Sequence, residues 1–240
     1  MPGADLEVRW SELVVAAAAP PQPRMVNTAG EPRRVNNLTL IDGKSFFATT
    51  LSGDIAPPGA TDVGLFHQDT RFLSHWELRV NGHRTVVLSA ASQRNILAQI
   101  ELTTPGTLVR DNLDLPENTV HIHREQLLAG HFFDRLTFHN FNLQPVALQV
   151  ELCFDADFMD VFQVRGMLRP CAGTYFEPAL EPHAVVFAYL GRDEWRRQVS
   201  IGFSPAPRLL QPRRAEFALR LAPGARQTLQ LVVATAAGPA

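Results

Sequence analysis

An all-β fold of packed antiparallel sheets is what this sequence predicts, and three observations carry that prediction. Apolar and polar residues alternate at period two along most of the chain after residue 34, the mark of strands with one buried and one solvated face. The apolar runs are short and separated by Gly- and Pro-containing turns. The strand–helix–strand rhythm of a parallel α/β protein is missing. The expected architecture is a large two-sheet β-sandwich over residues 34–236, with one short helix.

Residues 1–33 carry Ala16–Ala19, Pro20, Pro21, Pro23 and Pro32 with little periodicity. They predict a flexible leader with a short helix over 10–18. Phe72, Trp76, Leu78 and Val80 then share one parity, opposed by Glu77 and Arg79, and predict a strand over 72–80. Asn81-Gly82 is a strong two-residue hairpin turn, so the return strand is expected over 85–88. Ile96, Ala98, Ile100 and Leu102 alternate with Gln99, Glu101 and Thr103. Strands over 119–128 and 132–139 flank Ala129-Gly130 as a second hairpin. Val146, Leu148, Val150, Leu152 and Phe154 form the cleanest alternation, and 157–162 is the one helical segment expected after the leader. Val199, Ile201 and Phe203, then Phe217, Leu219 and Leu221, then Leu229, Leu231 and Val233 complete the pattern.

Composition narrows the class. The chain has 240 residues, 45% hydrophobic and 19% charged, which suffices for a large core. A net charge of −2 gives no electrostatic footprint for nucleic acid. Cys153 and Cys171 are the only cysteines, too few for a disulfide framework, so a reducing cytoplasm is the expected location. The apolar run Leu13–Ala19 follows Asp5, Glu7 and Glu12 rather than a basic segment, so it does not read as a signal peptide. No run reaches the ~20 apolar residues of a membrane span, and no membrane partner is expected.

Three groups of residues invite a chemical reading. His121, His123 and Glu125 stand at i, i+2, i+4 and would share one face of a strand, a ligand set suited to Zn or Fe. A closed site needs further ligands, and a polar outer sheet face explains the same spacing, so no metal or other cofactor is expected. Asp155, Asp157 and Asp160 form the densest carboxylate group. Glycoside hydrolysis needs two carboxylates ~5–10 Å apart across a scissile bond, and nothing pairs these residues that way. Asp155 is expected to end a strand and Asp157 to cap the short helix. Arg71, after Asp69-Thr70, and Arg165 are candidates for carboxylate pairs that fix loops. Trp76, Trp195 and Tyr175 are the aromatic rings available to stack on a sugar or to fill the core. No Gly-x-Ser-x-Gly elbow or phosphate-binding Gly loop is present.

Several stretches together resemble a known family. They are Gly43-Lys44-Ser45-Phe46-Phe47, Gly53-Asp54-Ile55, Gly64-Leu65-Phe66-His67-Gln68-Asp69-Thr70-Arg71-Phe72-Leu73-Ser74 and Trp76-Glu77-Leu78-Arg79-Val80-Asn81-Gly82. Phe154-Asp155-Ala156-Asp157-Phe158 follows, running to Phe162-Gln163-Val164-Arg165-Gly166. Over about residues 38–235 the chain is similar to the N-terminal domain of bacterial glycogen-debranching enzymes of the amylo-α-1,6-glucosidase type. The resemblance implies a supersandwich-like β-domain ahead of a helical barrel that carries the catalytic carboxylates. The chain ends at Ala240, soon after its last expected strand, so that barrel is expected to be a partner outside this sequence. The resemblance then transfers no catalytic residue. It marks Asp69, Arg71, Trp76, Asp155, Asp157 and Arg165 as motif positions, structural or at a domain interface. It implies a non-catalytic accessory role, with α-glucan as a further candidate partner. Two other readings stand beside it: a stand-alone glycan-binding module using Trp76, Trp195 and Tyr175, and a metal enzyme using His121, His123 and Glu125.

Overall fold

The computed structural model describes residues 37–56, 63–105, 117–167 and 173–240; the expected leader and its helix over 10–18 lie outside these. The described residues are almost entirely antiparallel β-structure, arranged in three ladders. The first is a four-stranded meander of β1 (Leu38–Asp42), β2 (Ser45–Thr49), β3 (Gly64–His67) and β4 (Thr70–Leu73).

A five-stranded sheet has the order β16-β17-β11-β5-β6. It contains β5 (His75–Val80), β6 (His83–Arg84), β11 (Val146–Asp155), β16 (Leu209–Gln211) and β17 (Arg214–Leu221).

The third and largest sheet has nine strands. Its path runs β12 (Thr174–Tyr175), β14 (Ala184–Leu190), β15 (Trp195–Ser204), β18 (Arg226–Pro239), β10 (His131–Asn140), β9 (Val120–Ala129), β8 (Leu97–Thr103) and β7 (Val86–Gln93), with β13 (Ala179–Glu181) also paired to β14.

Alternation fixes which face each strand buries. Along β11, Val146, Leu148, Val150, Leu152 and Phe154 are buried, while Ala147 and Gln149 are exposed and Glu151 and Cys153 are partly covered. Their side chains meet those of the nine-stranded sheet: the Phe154 ring lies 5.8 Å from Phe203 and 6.3 Å from Phe187. The four-stranded meander closes on the same core through Phe47, whose ring is 3.9 Å from Phe132. One contiguous cluster of buried apolar residues joins all three ladders. Each fully buried Leu or Phe in it contributes on the order of 1.5–3 kcal/mol relative to exposure.

Two expected elements come out differently. The strand read over 72–80 is broken at Ser74: β4 belongs to the meander and β5 to the five-stranded sheet. Ser74 donates its backbone N–H to the Asp155 carbonyl at 2.9 Å, which places the break beside the end of β11. The Asn81-Gly82 turn forms as expected, with φ of 51° and 78°, the double left-handed geometry of a two-residue hairpin. Its return strand is only β6, because the chain then leaves for the nine-stranded sheet, where β7 runs along β8. The turn chemistry was readable; the change of sheet follows from a longer ladder available elsewhere. No helix among the described residues is long and apolar enough to cross a membrane.

Candidate functional site

Two of the motif stretches, residues 64–74 and 154–166, are joined to each other. The β3–β4 turn holds Gln68 and Asp69 at φ of 46° and 63°, two consecutive non-glycine residues in the left-handed region. That turn is zipped to the segment after β11. Arg71 N–H donates to the Met159 carbonyl at 2.8 Å, and Val161 N–H donates to the Asp69 carbonyl at 2.8 Å. An isolated bridge pairs Thr70 with Asp160.

The side chains repeat this link. Arg71, almost fully buried, reaches Asp157 with a two-pronged guanidinium–carboxylate contact; its Nε lies 3.1 Å from Oδ2 and 3.2 Å from Oδ1. The other face of this stretch is open. Met159, Phe162, Met167, Tyr175 and Phe176 are all exposed, and the Tyr175 hydroxyl donates to the Asp157 carbonyl at 2.7 Å.

The single helical turn, α1 (Val161–Val164), starts from Asp160 and not from Asp157. Asp160 Oδ1 accepts from Phe162 N–H at 2.7 Å and Gln163 N–H at 3.2 Å, and the Gln163 side chain accepts from Asp160 N–H at 3.1 Å, a reciprocal capping box. The expected cap at Asp157 is thereby corrected: its carboxylate is committed to Arg71 instead. Asp155 pairs with Arg213 at 2.9 Å on the surface. Arg165 is the exposed C-cap of α1. Each of the three aspartates thus has a structural partner. Asp69 lines an open groove of about 770 Å³ with Lys44, Ser45, Phe46 and Gln68, between the β1–β2 and β3–β4 turns.

Trp76 is fully buried, which removes it as a sugar platform; Trp195 and Tyr175 are about half exposed. The Trp76 indole N–H donates to Asp134 Oδ2 at 2.7 Å. This bond belongs to a buried polar network that the sequence reading did not find. Arg124 lies at its centre, with no exposed surface. It donates to Asp134 from Nη2 at 2.7 Å, to Asp54 Oδ1 from Nη1 at 2.6 Å and to the Ser52 carbonyl at 2.8 Å. Gln126 bridges the Gly53 carbonyl at 2.8 Å and Asp134 at 3.1 Å.

Burial pushes the Asp54 carboxyl up, against Arg124's charge and hydrogen bonds from Arg124, Ser52 and Leu78. Burial alone would lower the Arg124 pKa, but the two aspartates outweigh it and raise it further. The network explains why Gly53-Asp54-Ile55 stands as a motif. Gly53 sits at φ +80°, and a Cβ there would lie 2.7 Å from Ile100 Cδ1 and 2.8 Å from Gln126 Oε1. The signal was present in the sequence: Arg124 and Gln126 share the core-facing parity of Val120, Ile122 and Leu128, and Asp134 that of Phe132 and Leu136.

A second motif cluster surrounds Glu77, whose carboxylate accepts from Arg84 at 2.8 Å, Arg79 at 3.0 Å and His75 at 3.1 Å. Burial pushes this carboxyl up, but the hydrogen bonds from Arg84 and His75 and the charges of Arg84 and Arg79 prevail and hold it at about 2.

His121, His123 and Glu125 do share one face of β9, as their spacing requires, and each is partly or largely covered. The two histidines meet Glu101 of β8, which contacts His121 Nε2 at 2.7 Å and His123 Nδ1 at 2.8 Å. These are cross-strand acid–imidazole pairs. Among the described residues, no group of three or more His, Cys, Asp or Glu side chains is arranged to hold a metal ion.

Comparison with known proteins adds three findings. By sequence, no curated protein matches the chain. Among solved structures, a kojibiose phosphorylase-like protein from the human microbiome superposes with a TM-score of 0.49 at 10% identity, over 76% of this chain and 24% of that one. The Slr1438 protein of Synechocystis sp. PCC 6803 superposes with a TM-score of 0.50 at 10% identity, over 88% of this chain and 99% of that one. An aldose 1-epimerase-like protein from Escherichia coli K12 gives 0.44 at 10% identity, over 84% and 99%. At 10% identity the likeness to the Slr1438 protein is one of fold alone, and this chain spans about a quarter of the phosphorylase-like protein's length. Residues 40–232, which hold every motif described above, match the N-terminal domain of some glycogen debranching enzymes, and the chain belongs to that family.

Proposed function

We propose that the chain is the non-catalytic accessory domain of a cytoplasmic debranching glycoside hydrolase of the amylo-α-1,6-glucosidase type. It would brace a helical catalytic barrel and shape one wall of its cleft. The observation that carries this reading is the seam between residues 64–74 and 154–166. There the two most distinctive stretches are tied together from within by Arg71 and Asp157, while Met159, Phe162, Met167 and Tyr175 face outward. Clustered exposed apolar residues beside a rigidly held backbone are what a docking surface needs. The acidic residues nearest to them, Asp155, Asp157 and Asp160, are held by Arg213, Arg71 and a helix cap, which fits a bracing role better than an acid/base one.

The test uses a catalytic barrel from a debranching enzyme of this family, produced without its own N-terminal domain. Mixed with the 240-residue chain, it is expected to sediment as a complex. A Phe162→Asp, Met167→Asp variant of the chain is expected to remain folded and to sediment apart from it. A barrel that ignores the wild-type chain, or binds wild type and variant alike, would overturn the proposal.

A further inference from the structure

A strand at the rim of a sheet leaves a row of backbone N–H and C=O groups unpaired. Proteins protect such rims by shortness, charge, proline or a covering segment. Among the described residues, most outer strands carry that protection. β12 and β13 have two and three residues and are separated by a segment holding Glu177 and Pro178. β16 has three, between Pro207-Arg208 and Pro212-Arg213. β6 has two, and its Arg84 is bound to Glu77. β4 is covered by the chain after β11, through the Arg71-to-Met159 hydrogen bond and the Thr70–Asp160 bridge. β1 ends at Asp42 and gives its Ile41 N–H to the Asn95 carbonyl at 2.6 Å.

β7 is the exception. It has eight residues, Val86–Gln93, with neither a charge nor a proline, and it closes the nine-stranded sheet with β8 on one side only. Val86, Val87 and Leu88 are 45, 37 and 57% exposed, and Ser89, Ala91 and Ser92 are exposed as well. The register with β8 shifts at Leu88, a bulge that interrupts the rim, and then runs evenly from Ser89 to Gln93.

We propose that the Ser89–Gln93 rim pairs antiparallel with the same rim of a second copy of this chain, so that the two nine-stranded sheets run on into one another. An antiparallel pair about a two-fold axis is self-complementary: each copy supplies the acceptors that the other's N–H groups need. Centred on Ala91, the pairing sets Ser89 against Gln93 and Ala90 against Ser92. No charge meets its like along this row, and the small side chains let the backbones approach. Burying Leu88 at each end adds apolar area. A row without charges has little with which to select a foreign strand, whereas a second copy needs no such selection. A strand pair of this length is a small interface, below about 1,200 Å², so the dimer is expected at roughly micromolar concentrations and above.

The experiment follows the mass of the 240-residue chain by sedimentation equilibrium from about 1 to 200 μM. A rise from one chain to two is expected. Ala91→Lys sets two ammonium groups against each other at the axis and should weaken association at least about tenfold, while unfolding at the wild-type temperature. Ala91→Glu alone should do the same, and an equimolar mixture of the two variants should recover the dimer. In the wild type, hydrogen exchange at Ser89–Gln93 should slow as the chain concentration rises. A chain that stays single throughout, a dimer indifferent to Ala91→Lys, or a mixture that fails to recover it would each overturn the proposal. So would slowed exchange that appears only when a debranching-enzyme barrel is added, because the rim would then belong to that partner.

Discussion

Arg71 and Asp157 stand 86 residues apart in sequence, yet they join the two most distinctive stretches of the chain by a bidentate pair. Two backbone hydrogen bonds and a bridge run alongside it, so the ion pair closes a seam that the main chain already follows. Arg71 is almost fully buried and Asp157 partly so. The pair is therefore shielded from solvent more than a surface ion pair would be.

That shielding gives a measurable coupling. Arg71→Met should cost about 3 kcal/mol in urea unfolding, since it leaves a partly buried carboxylate without its cation. Asp157→Asn should cost less, and the double variant should cost clearly less than the sum. A double-mutant cycle that closes with no interaction energy would mean that the seam is held by the backbone alone.

The Arg124 network makes a sharper demand. Arg124→Met removes the only cation touching both Asp54 and Asp134 among the described residues, and both carboxyls are buried. The expected loss is about 3–5 kcal/mol. Adding Asp54→Asn and Asp134→Asn should return part of it, because neutral amides are less costly to bury than unpaired carboxylates. Guanidinium chloride midpoints of the three proteins decide the matter; a single Arg124→Met variant as stable as wild type would contradict the role assigned to the network.

Glu77 gives the domain an acid sensitivity of known sign. Its folded pKa, about 2, lies below the ordinary 4.5, so ionised Glu77 stabilises the fold at neutral pH. That contribution is present above about pH 4.5 and fades as the pH falls toward about 2. Glu77→Gln should be less stable than wild type at neutral pH and should show a flatter loss of stability across that window. Parallel pH profiles for the two proteins would show that other carboxyls govern acid unfolding.

Much of this architecture was legible because period two is a physical necessity of a half-buried strand. β8 through β11, β15, β17 and β18 lie where alternation placed them. The break at Ser74 and the departure of β7 were not legible, since alternation says which face a residue takes and not which sheet its strand joins. The site divides in the same way. Arg71 was readable as a carboxylate partner from its type and its setting in Asp69-Thr70-Arg71, but its choice of Asp157 over other carboxylates is set by topology. Asp157 was expected as the helix cap because it opens the segment 157–162; Gln163, three residues after Asp160, was the sequence signal that favours Asp160 instead. Arg124, Gln126 and Asp134 broke the apolar parity of β9 and β10, and such inward-facing charges mark a buried network wherever the alternation is otherwise clean.

On the proposed reading this domain assists catalysis without performing it. The most direct measurement is release of glucose from a branched limit dextrin by the purified 240-residue chain alone. A folded, cooperatively unfolding protein with no α-1,6-glucosidase activity is the expected result. Glucose release that disappears on substitution of Asp155, Asp157, Asp160 or Glu177 would contradict it and place the catalytic carboxylates in this chain.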